Sequence, residues 1–400
     1  MEMSELTALL TREGLTLLDA LGPVESSADV ARAVSRLRAA GHSPDLVSAV
    51  VGQAHLRVKA VPKFGEFAAR MLFTRAGLEQ ATRLRVAGLH AARMRRAGIT
   101  RVDDLGCGIG GDSLAFAAAG LTVRAVDADE VTAAIAAYNL APFGEEATVV
   151  HGAAEEHAPA GGRAATSAVW LDPARRTAGH SETQRVAAAD YSPALDWCFS
   201  LATQGPTGIK LGPGLDRDLI PRDVEAQWVS ADGSVVELVL WSGALMRDGV
   251  RRAALVVRGD ETHELTAAAD AEDEPARGLG AFVHEPDGAV IRARLIGEAA
   301  RMLDAGMIDP QIAYLTGDSA VTSPFVQSFR VRETVPAHVK TVNAMLKAHD
   351  IGRLEIKKRG MDVDPAAFRR KLSLRGDAEG TLLLTRTPAG RVAILADRVR

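Results

Sequence analysis

Cysteine is scarce in this chain of 400 residues, which contains only Cys107 and Cys198. Neither lies in a C-x-x-C pair, and no two histidines have the spacing of metal ligands on one helix, so the sequence predicts no zinc or other metal site. Two unpaired thiols are typical of a reducing compartment. We therefore expect a cytoplasmic protein that binds no metal.

Long apolar segments are also missing. No stretch of 18 apolar residues occurs, so the sequence predicts no transmembrane helix. The acidic start at Met1-Glu2-Met3-Ser4-Glu5 lacks the basic and apolar regions of a signal peptide. Both absences agree with a cytoplasmic protein that has no membrane partner.

Charge is unevenly distributed, although the formal net charge of the whole chain is only −4. Residues 326–400 contain 16 Lys and Arg against 8 Asp and Glu, a net charge of +8, whereas the first 325 residues carry −12. This asymmetry predicts a C-terminal module that binds a polyanion, although a basic surface without a partner would have the same composition. A chain of this length, with 47% hydrophobic residues, is expected to form two or three domains.

The most informative stretch is a glycine-rich segment between residues 102 and 113. It has the pattern of a strand, then a turn containing Gly106, Gly108 and Gly110, and then a helix. Glycine lets the backbone turn sharply and approach a ligand closely, and the free N–H groups at the start of a helix favour such a ligand. The segment therefore predicts a cofactor-binding turn.

Two acidic residues near this turn indicate which cofactor it binds. Asp104 precedes the glycines, where a carboxylate would repel the pyrophosphate of a dinucleotide but would suit an ammonium and a sulfonium group. Asp127 ends the next strand, 21 residues after Gly106, where an acid accepts hydrogen bonds from ribose hydroxyls. This pattern resembles motif I and the following acidic position of class I S-adenosylmethionine-dependent methyltransferases. The resemblance implies S-adenosylmethionine as the cofactor, bound by Asp104, Gly106, Gly108, Gly110 and Asp127.

Strands and helices alternate after the glycine turn in the manner of a doubly wound sheet. Ligands in such folds lie beyond the carboxyl ends of the strands, and Asp104, Asp127 and Asp172 all fall there. With the strand before the turn, the predicted strands number seven, and the resemblance implies an α/β fold with a Rossmann-like, seven-stranded methyltransferase sheet. The other six predicted strands lie at residues 121–126, 147–151, 168–171, 207–211, 235–241 and 253–258.

A second motif, Asp172-Pro173-Ala174-Arg175, follows the fourth strand. It resembles the Asp/Asn-Pro-Pro-aromatic motif of amino methyltransferases and the Asp-Pro-Pro-Arg variant of several RNA methyltransferases. The Asp172 carboxylate can accept a hydrogen bond from an exocyclic amine and direct its lone pair, while Pro173 stiffens the loop. Arg175 or Arg176 is expected to hold a phosphate of the substrate. No aromatic residue stands at position 174 or 175, so an exocyclic and a ring nitrogen both remain as acceptors.

Two further cofactor contacts follow from the resemblance. Many class I enzymes hold the adenine amino group with an acid after the third strand; here Ala153 stands in that place, which leaves the Ala154 backbone or Glu155 for this contact. Some RNA-type enzymes of this class have a Gln-Ser/Thr stretch over the methionine end of the cofactor, which Gln80 and Thr82 resemble. An ordinary helix N-terminus would explain residues 78–82 equally well.

The rest of the chain divides around this sheet. Residues 1–75 have helical patterns, with caps at Ser26 or Ser27 and at Ser43. An alanine-rich acidic linker is predicted near residues 260–280. The predicted domains are an N-terminal helical region at 1–75, the methyltransferase domain at 76–262, a small α+β, ferredoxin-like piece at 281–325 and a basic module at 326–400.

The basic module has its own resemblance. The order of its predicted elements and the stretch Ile356-Lys357-Lys358-Arg359-Gly360 resemble the THUMP-like C-terminal domain attached to certain bacterial class I methyltransferases. This small α+β module is therefore implied to bind RNA, with Lys357, Lys358 and Arg359 in contact with the substrate.

These inferences predict a cytoplasmic S-adenosylmethionine-dependent methyltransferase that acts on a base nitrogen of RNA, such as rRNA or tRNA. Three alternatives remain open: a methyltransferase for a protein or small molecule, an RNA-binding protein that has lost catalysis, and a nicotinamide dehydrogenase. Ala153 and Ala174 support the second alternative, and Asp104 opposes the third. The sequence indicates no oligomeric state.

Overall fold

The structure is a computed structural model that describes residues 1–159, 161, 163–175 and 191–399. The chain folds into two compact units. The first comprises Met1–Val224 and Leu240–Met246, and the second comprises Glu225–Val239 and Arg247–Arg400. The predicted motifs at residues 104–127 and 172–175 therefore belong to the first unit, and the basic module belongs to the second.

Helices dominate the first 96 residues of the first unit. They are α1 Met3–Leu9, α2 Arg12–Leu21, α3 Ser27–Ala39, α4 Pro44–Phe64, α5 Arg75–Gln80 and α6 Leu84–Arg96. Ser26 caps α3 and Ser43 caps α4, as predicted, because each hydroxyl oxygen accepts a free N–H of the first turn. The Gln53 amide of α4 exchanges two hydrogen bonds with the backbone of Phe73, at 2.6 and 2.9 Å. These bonds fix the segment that leads into α5.

A parallel sheet follows in the first unit. Its strands are β1 Arg101–Leu105, β2 Thr122–Asp127, β3 Ala147–His151, β4 Ser167–Leu171 and β7 Thr207–Leu211, with a small ribbon of β5 Ala174–Arg175 and β6 Tyr191–Ser192. The parallel pairs give the order β3-β2-β1-β4-β7. The chain reverses direction across the sheet between β1 and β4, and ligands bind at the carboxyl ends of strands at such a point. The helices between the strands are α7 Gly111–Ala118, α8 Glu130–Leu140, α9 Ala154–His157 and α10 Leu195–Ala202.

Trp170 of β4 is at the centre of the aromatic core of this unit. It is fully buried, and its ring centroid lies 4.6 Å from that of His90, 5.6 Å from that of Phe116 and 5.6 Å from that of Trp241. These large rings fill the space beside β4 and position the end of the strand where Asp172 follows.

The second unit begins with further strands: β8 Glu225–Ala231, most of β9 Ser234–Ser242, β10 Arg252–Arg258 and β11 Glu261–Ala267. The predicted α/β fold is confirmed, but the predicted count of seven strands is wrong, because β8 and β11 were missed. Within the described residues, nine strands of three or more residues form between positions 101 and 267. All of β8 is buried, including Glu225, which pairs with Arg247, so the strand shows no alternation. β11 is mostly polar and shows no apolar face.

A seven-stranded sheet makes up the remainder of the second unit. Its strands are β12 Phe282–Pro286, β13 Gly306–Asp309, β14 Ile312–Gly317, β15 Val326–Pro336, β16 Ile351–Lys358, β17 Ala378–Thr387 and β18 Gly390–Arg398, in the order β13-β14-β12-β15-β18-β17-β16. The predicted hairpin between β17 and β18 is confirmed, with Thr387 opposite Gly390. The pairing of β12 with β15 joins segments 281–325 and 326–400 in one sheet. The helices are α11 Gly288–Arg292, α12 Ile296–Leu303, α13 Val339–Ala348 and α14 Pro365–Arg369.

In the part of the chain that the structure describes, no helix has the length and apolar character needed to cross a membrane. The same residues include no group of three or more His, Cys, Asp or Glu side chains that is arranged to hold a metal ion.

Candidate active site

The predicted glycine turn connects β1 to α7. Gly106, Gly108 and Gly110 have φ angles of 94°, 56° and 87°, in the left-handed region that residues with a side chain rarely adopt. The N–H groups of Gly106 and Cys107 donate to the carbonyl oxygen of Val126, at 2.8 and 2.9 Å. The turn is thus anchored to β2, and its backbone conformation requires glycine.

Asp127 lies at the end of β2 beside the turn. Its Oδ2 accepts the Gly108 N–H at 2.9 Å, and its Oδ1 accepts the Asp129 N–H at 3.0 Å. Each carboxylate oxygen keeps a second lone pair, so the group can also accept hydrogen bonds from a pair of hydroxyls. Partial burial raises the pKa of Asp127 above its usual value. This geometry fits the ribose contact that the sequence predicts.

Asp104 is buried within β1, with 1% of its surface exposed. Its Oδ2 accepts a hydrogen bond from the Ser113 hydroxyl, whereas no described residue donates to its Oδ1. Burial raises the pKa of Asp104 to about 8, because the ionised carboxylate is poorly solvated inside the unit. A buried oxygen without a partner is energetically costly. A cationic donor of a cofactor would satisfy it, which agrees with the role predicted for Asp104.

A buried ammonium group connects Asp172 to the interior of the unit. Lys210 Nζ, on β7, lies 2.7 Å from Asp172 Oδ2, 3.0 Å from Asp112 Oδ2 and 2.6 Å from Thr82 Oγ1. The Lys210 side chain is 9% exposed, and the Asp172 side chain is 38% exposed. The Asp172 carboxylate is therefore held from the interior and accessible from outside, as a group that contacts a substrate must be.

Asp112, in the first turn of α7, organises the buried end of this network. Its Oδ1 lies 2.9 Å from His90 Nδ1, and its Oδ2 accepts from the Thr82 hydroxyl at 2.9 Å. Burial alone would raise the pKa of Asp112, but the Lys210 charge and the His90 hydrogen bond hold it below its usual value. Sequence reasoning missed Asp112 and His90, since an acid in the first turn of a helix is common and needs no partner.

Residues 78–82, between α5 and α6, are held by Lys63 at the end of α4. Lys63 Nζ donates to the carbonyl oxygens of Leu78, Glu79 and Ala81, at 2.8, 2.7 and 2.8 Å. Burial lowers the pKa of Lys63, and the nearby charges of Arg83 and Lys210 lower it further. This lysine satisfies carbonyl groups that the end of α5 leaves free. It thereby fixes the stretch for which the sequence predicts a cofactor contact.

The other predicted residues of the first unit lie around this network. Gln80 is exposed at the end of α5, and Glu155 is exposed in α9, which follows β3. Pro173 is buried directly after Asp172. Arg175 lies in β5, but its side chain and the whole of Arg176 lie outside the described residues.

The three cations predicted for substrate binding in the second unit differ from one another. Lys357 Nζ lies 2.7 Å from Glu285 Oε2, and Arg359 lies 3.6 Å from Glu285 Oε1 and 5.2 Å from the centre of the Tyr314 ring. Lys358 is exposed at the end of β16 and forms no ion pair with a described residue. Glu285 therefore offsets part of the charge of Lys357 and Arg359, whereas the charge of Lys358 has no such neighbour among the described residues.

Two family models match parts of the chain. Residues 326–398 match the model described as THUMP domain-like. Residues 2–60 match a domain of unknown function, DUF8688. The two matched segments lie at opposite ends of the sequence, outside the glycine turn and the Lys210 network.

Known proteins match most of the chain. Over 373 residues it is 34% identical to S-adenosylmethionine-dependent methyltransferases of Mycobacterium tuberculosis strains CDC 1551 / Oshkosh and ATCC 25618 / H37Rv, covering 90% of this chain and 97% of each relative. A crystal structure from Porphyromonas gingivalis W83, described as that of a methyltransferase, has a TM-score of 0.72 and 20% identity. That match covers 90% of this chain and 92% of the other, and it shows a shared fold.

Proposed function

Since the chain belongs to the S-adenosylmethionine-dependent methyltransferases, we propose that it transfers a methyl group to a base nitrogen of RNA. The observation that carries this proposal is the placement of Asp172. Its carboxylate is accessible at the end of β4, and its main-chain carbonyl lies against the glycine turn, 3.2 Å from the position of a β-carbon on Gly106. A group that receives a substrate amine therefore lies directly beside the cofactor-binding turn.

S-adenosylmethionine supplies, when bound, a methyl group on a positively charged sulfur that needs no acid catalyst. The residues of the glycine turn would let the cofactor approach the backbone closely. Asp127 would accept its ribose hydroxyls, and Asp104 Oδ1 would receive a donor from its methionine end. Glu155 and Gln80 are the proposed contacts at the adenine and methionine ends, because both are exposed, Glu155 in the helix after β3 and Gln80 at the end of α5.

Asp172 and Pro173 are the residues of this chain that would position the substrate amine. An ionised carboxylate only accepts hydrogen bonds, so Asp172 is suited to a nitrogen that carries hydrogen, such as an exocyclic amine. A hydrogen bond from the amine to Asp172 fixes the direction of the nitrogen lone pair. Such positioning is the main contribution that a protein makes to this kind of transfer. Pro173 limits the motion of the loop because its ring fixes one backbone angle.

A basic surface of the second unit supports RNA as the substrate. Lys340 and Lys347 lie on one face of α13 with Asn343 between them, and the Asn343 side chain bonds the Lys371 carbonyl at 3.2 Å. Arg370 precedes Lys371. We call Lys340, Lys347, Arg370 and Lys371 the basic ridge. All four are exposed and form no ion pair with a described residue, so their charge is available to phosphates.

Methyl transfer from methyl-labelled S-adenosylmethionine to total RNA, taken from a strain that lacks the gene, tests the proposal. We expect label in the RNA and its recovery in one methylated nucleoside after digestion. Asp172→Ala should retain cofactor affinity but lose about 100-fold or more in transfer, whereas Asp127→Ala should lose cofactor binding. Asp223→Ala, at an exposed position, is the control and should change neither. Label that enters only protein or small molecules would reject RNA as the substrate.

A further inference from the structure

We infer that Lys210 is a positioning residue for methyl transfer, acting through its ion pair with Asp172. This inference rests on the proposed function, in which the Asp172 carboxylate receives the substrate amine. Lys210 itself is 9% exposed, so it acts on the reaction by fixing the carboxylate rather than by contacting the base.

The contacts of the ammonium group leave it no rotational freedom. A lysine has three N–H donors, and Lys210 has three acceptors within 3.0 Å: Thr82 Oγ1, Asp112 Oδ2 and Asp172 Oδ2. The first two are buried and belong to the segment before α6 and to α7. Two donors are thus anchored in the interior, and the third is directed at the carboxylate at the end of β4.

The arrangement restrains the Asp172 carboxylate from its buried side. Asp172 Oδ2 faces the ammonium, while the side chain as a whole is 38% exposed. Loss of the lysine would remove this restraint on the χ angles of Asp172, and the direction of the carboxylate lone pairs would be less well defined. Positioning catalysis is lost when the acceptor is misplaced by about 1 Å.

Stability alone does not account for this lysine. Buried ion pairs often contribute little net stability, because removing both charges from water costs about as much as their attraction returns. A purely structural role would also need no partner at the accessible Asp172. The contact with Asp172 therefore distinguishes Lys210 from Arg93, another buried cation of this unit, whose Nε donates to the Leu245 carbonyl at 2.9 Å and which lies over the Trp241 ring.

Hydrogen exchange of the full chain tests the inference without a substrate. In Lys210→Met we expect amide exchange of residues 171–175 to rise by about tenfold or more, while peptides of β1 and β7 stay within about twofold of the wild type. Arg93→Met should lower the melting temperature without changing exchange at 171–175. Because Lys210→Met leaves Asp112 with fewer partners, the double variant Lys210→Met/Asp112→Asn is measured as well. Unchanged exchange at 171–175 in both Lys210 variants would overturn the inference.

Kinetics on RNA that the wild type methylates provide the second test. Lys210→Met should lower kcat by about 30-fold and keep the dissociation constant of S-adenosylmethionine within about threefold of the wild type. Lys210→Arg, which keeps the positive charge, should retain most of the wild-type kcat. In the Asp172→Asn background the same change should cost less than about threefold, because both residues act as one unit. If the separate losses of kcat in Lys210→Met and Asp172→Asn multiplied in the double variant, the inference would be overturned. If the wild type methylates no RNA, the proposed function fails, and the exchange experiment still decides the role of Lys210.

Discussion

The main-chain carbonyl oxygen of Asp172 lies 3.2 Å from the position that a β-carbon on Gly106 would occupy. Asp172 directly follows β4 and Gly106 directly follows β1, and these two strands are hydrogen-bonded neighbours in the sheet. Contact between the two loops is thus a direct result of strand order. It brings the cofactor-binding turn and the group proposed to receive the substrate to the same edge of the sheet.

Replacing Gly106 with alanine tests how tightly these loops pack. Gly106→Ala should destabilise the protein by about 1–3 kcal/mol, because its φ of 94° is strained for alanine, and should reduce affinity for S-adenosylmethionine by about tenfold or more. Calorimetric titration and thermal denaturation measure the two effects. Gly98→Ala is the control, since Gly98 has a φ of 75° but open space around it. It should show the stability loss alone, and an equal loss of affinity in both variants would contradict the packing argument.

The buried carboxyl of Asp104 predicts a particular pH dependence. Its pKa is about 8 in the folded protein and near the usual value of about 4 when unfolded. Between these values the folded state holds a proton that the unfolded state has lost, so this group lowers stability as pH rises from 4 to 8. Asp104→Asn removes the effect. In the absence of cofactor, its melting temperature relative to the wild type should rise by about 5 °C between pH 5 and pH 8. Parallel curves for the two proteins would show that Asp104 does not titrate in this range.

Replacement of Lys63 should lower the stability of the protein more than replacement of an exposed lysine on α4. Lys63→Met leaves three carbonyl groups of residues 78–82 without a donor, and we expect a loss of about 1–2 kcal/mol in stability with faster amide exchange in this segment. Lys59→Met is the matched control on the same helix, because Lys59 is exposed. Equal effects of the two substitutions would contradict a capping role for Lys63.

The basic ridge should carry more of the RNA affinity than Lys357 and Arg359. Replacing all four ridge residues with Gln should weaken binding to bulk tRNA in a filter assay and reduce the slope of log K against log salt by about three. The pair Lys357→Gln/Arg359→Gln should have a smaller effect, since both side chains lie within 3.6 Å of a Glu285 oxygen. The reverse order of effects would place the RNA-binding surface on β16 instead.

Local signals made part of this structure predictable. The caps at Ser26 and Ser43 and the glycine turn depend on short-range backbone requirements that a few residues specify. The missed strands lacked such signals. β8 keeps polar residues buried by pairing Glu225 with Arg247, and β11 has no apolar face, so neither shows the alternation that marks a half-buried strand.

The candidate site was predictable only in its separate parts. Asp104, Asp127 and Asp172 each follow from their position near the end of a strand. The network that holds Asp172 does not, because Lys210 meets Asp112 and Thr82 across 98 and 128 residues of sequence. Likewise nothing near Lys357 in the sequence indicates that Glu285, 72 residues away, neutralises it. Such pairings become visible only when the strand order is known.

The hydrogen-bonded pairing of β12 with β15 determines where a fragment of the second unit can begin. Phe282 pairs with Arg330 and Pro286 with Val326, and Val283 and Phe329 share one hydrophobic cluster. A fragment that began at residue 326, where the family match starts, would expose the bare edge of β15 together with that cluster. Such a fragment should aggregate on expression, whereas one that starts before Phe282 retains its partner strand. The segment that matches the family model, residues 326–398, is thus shorter than the sheet to which its strands belong.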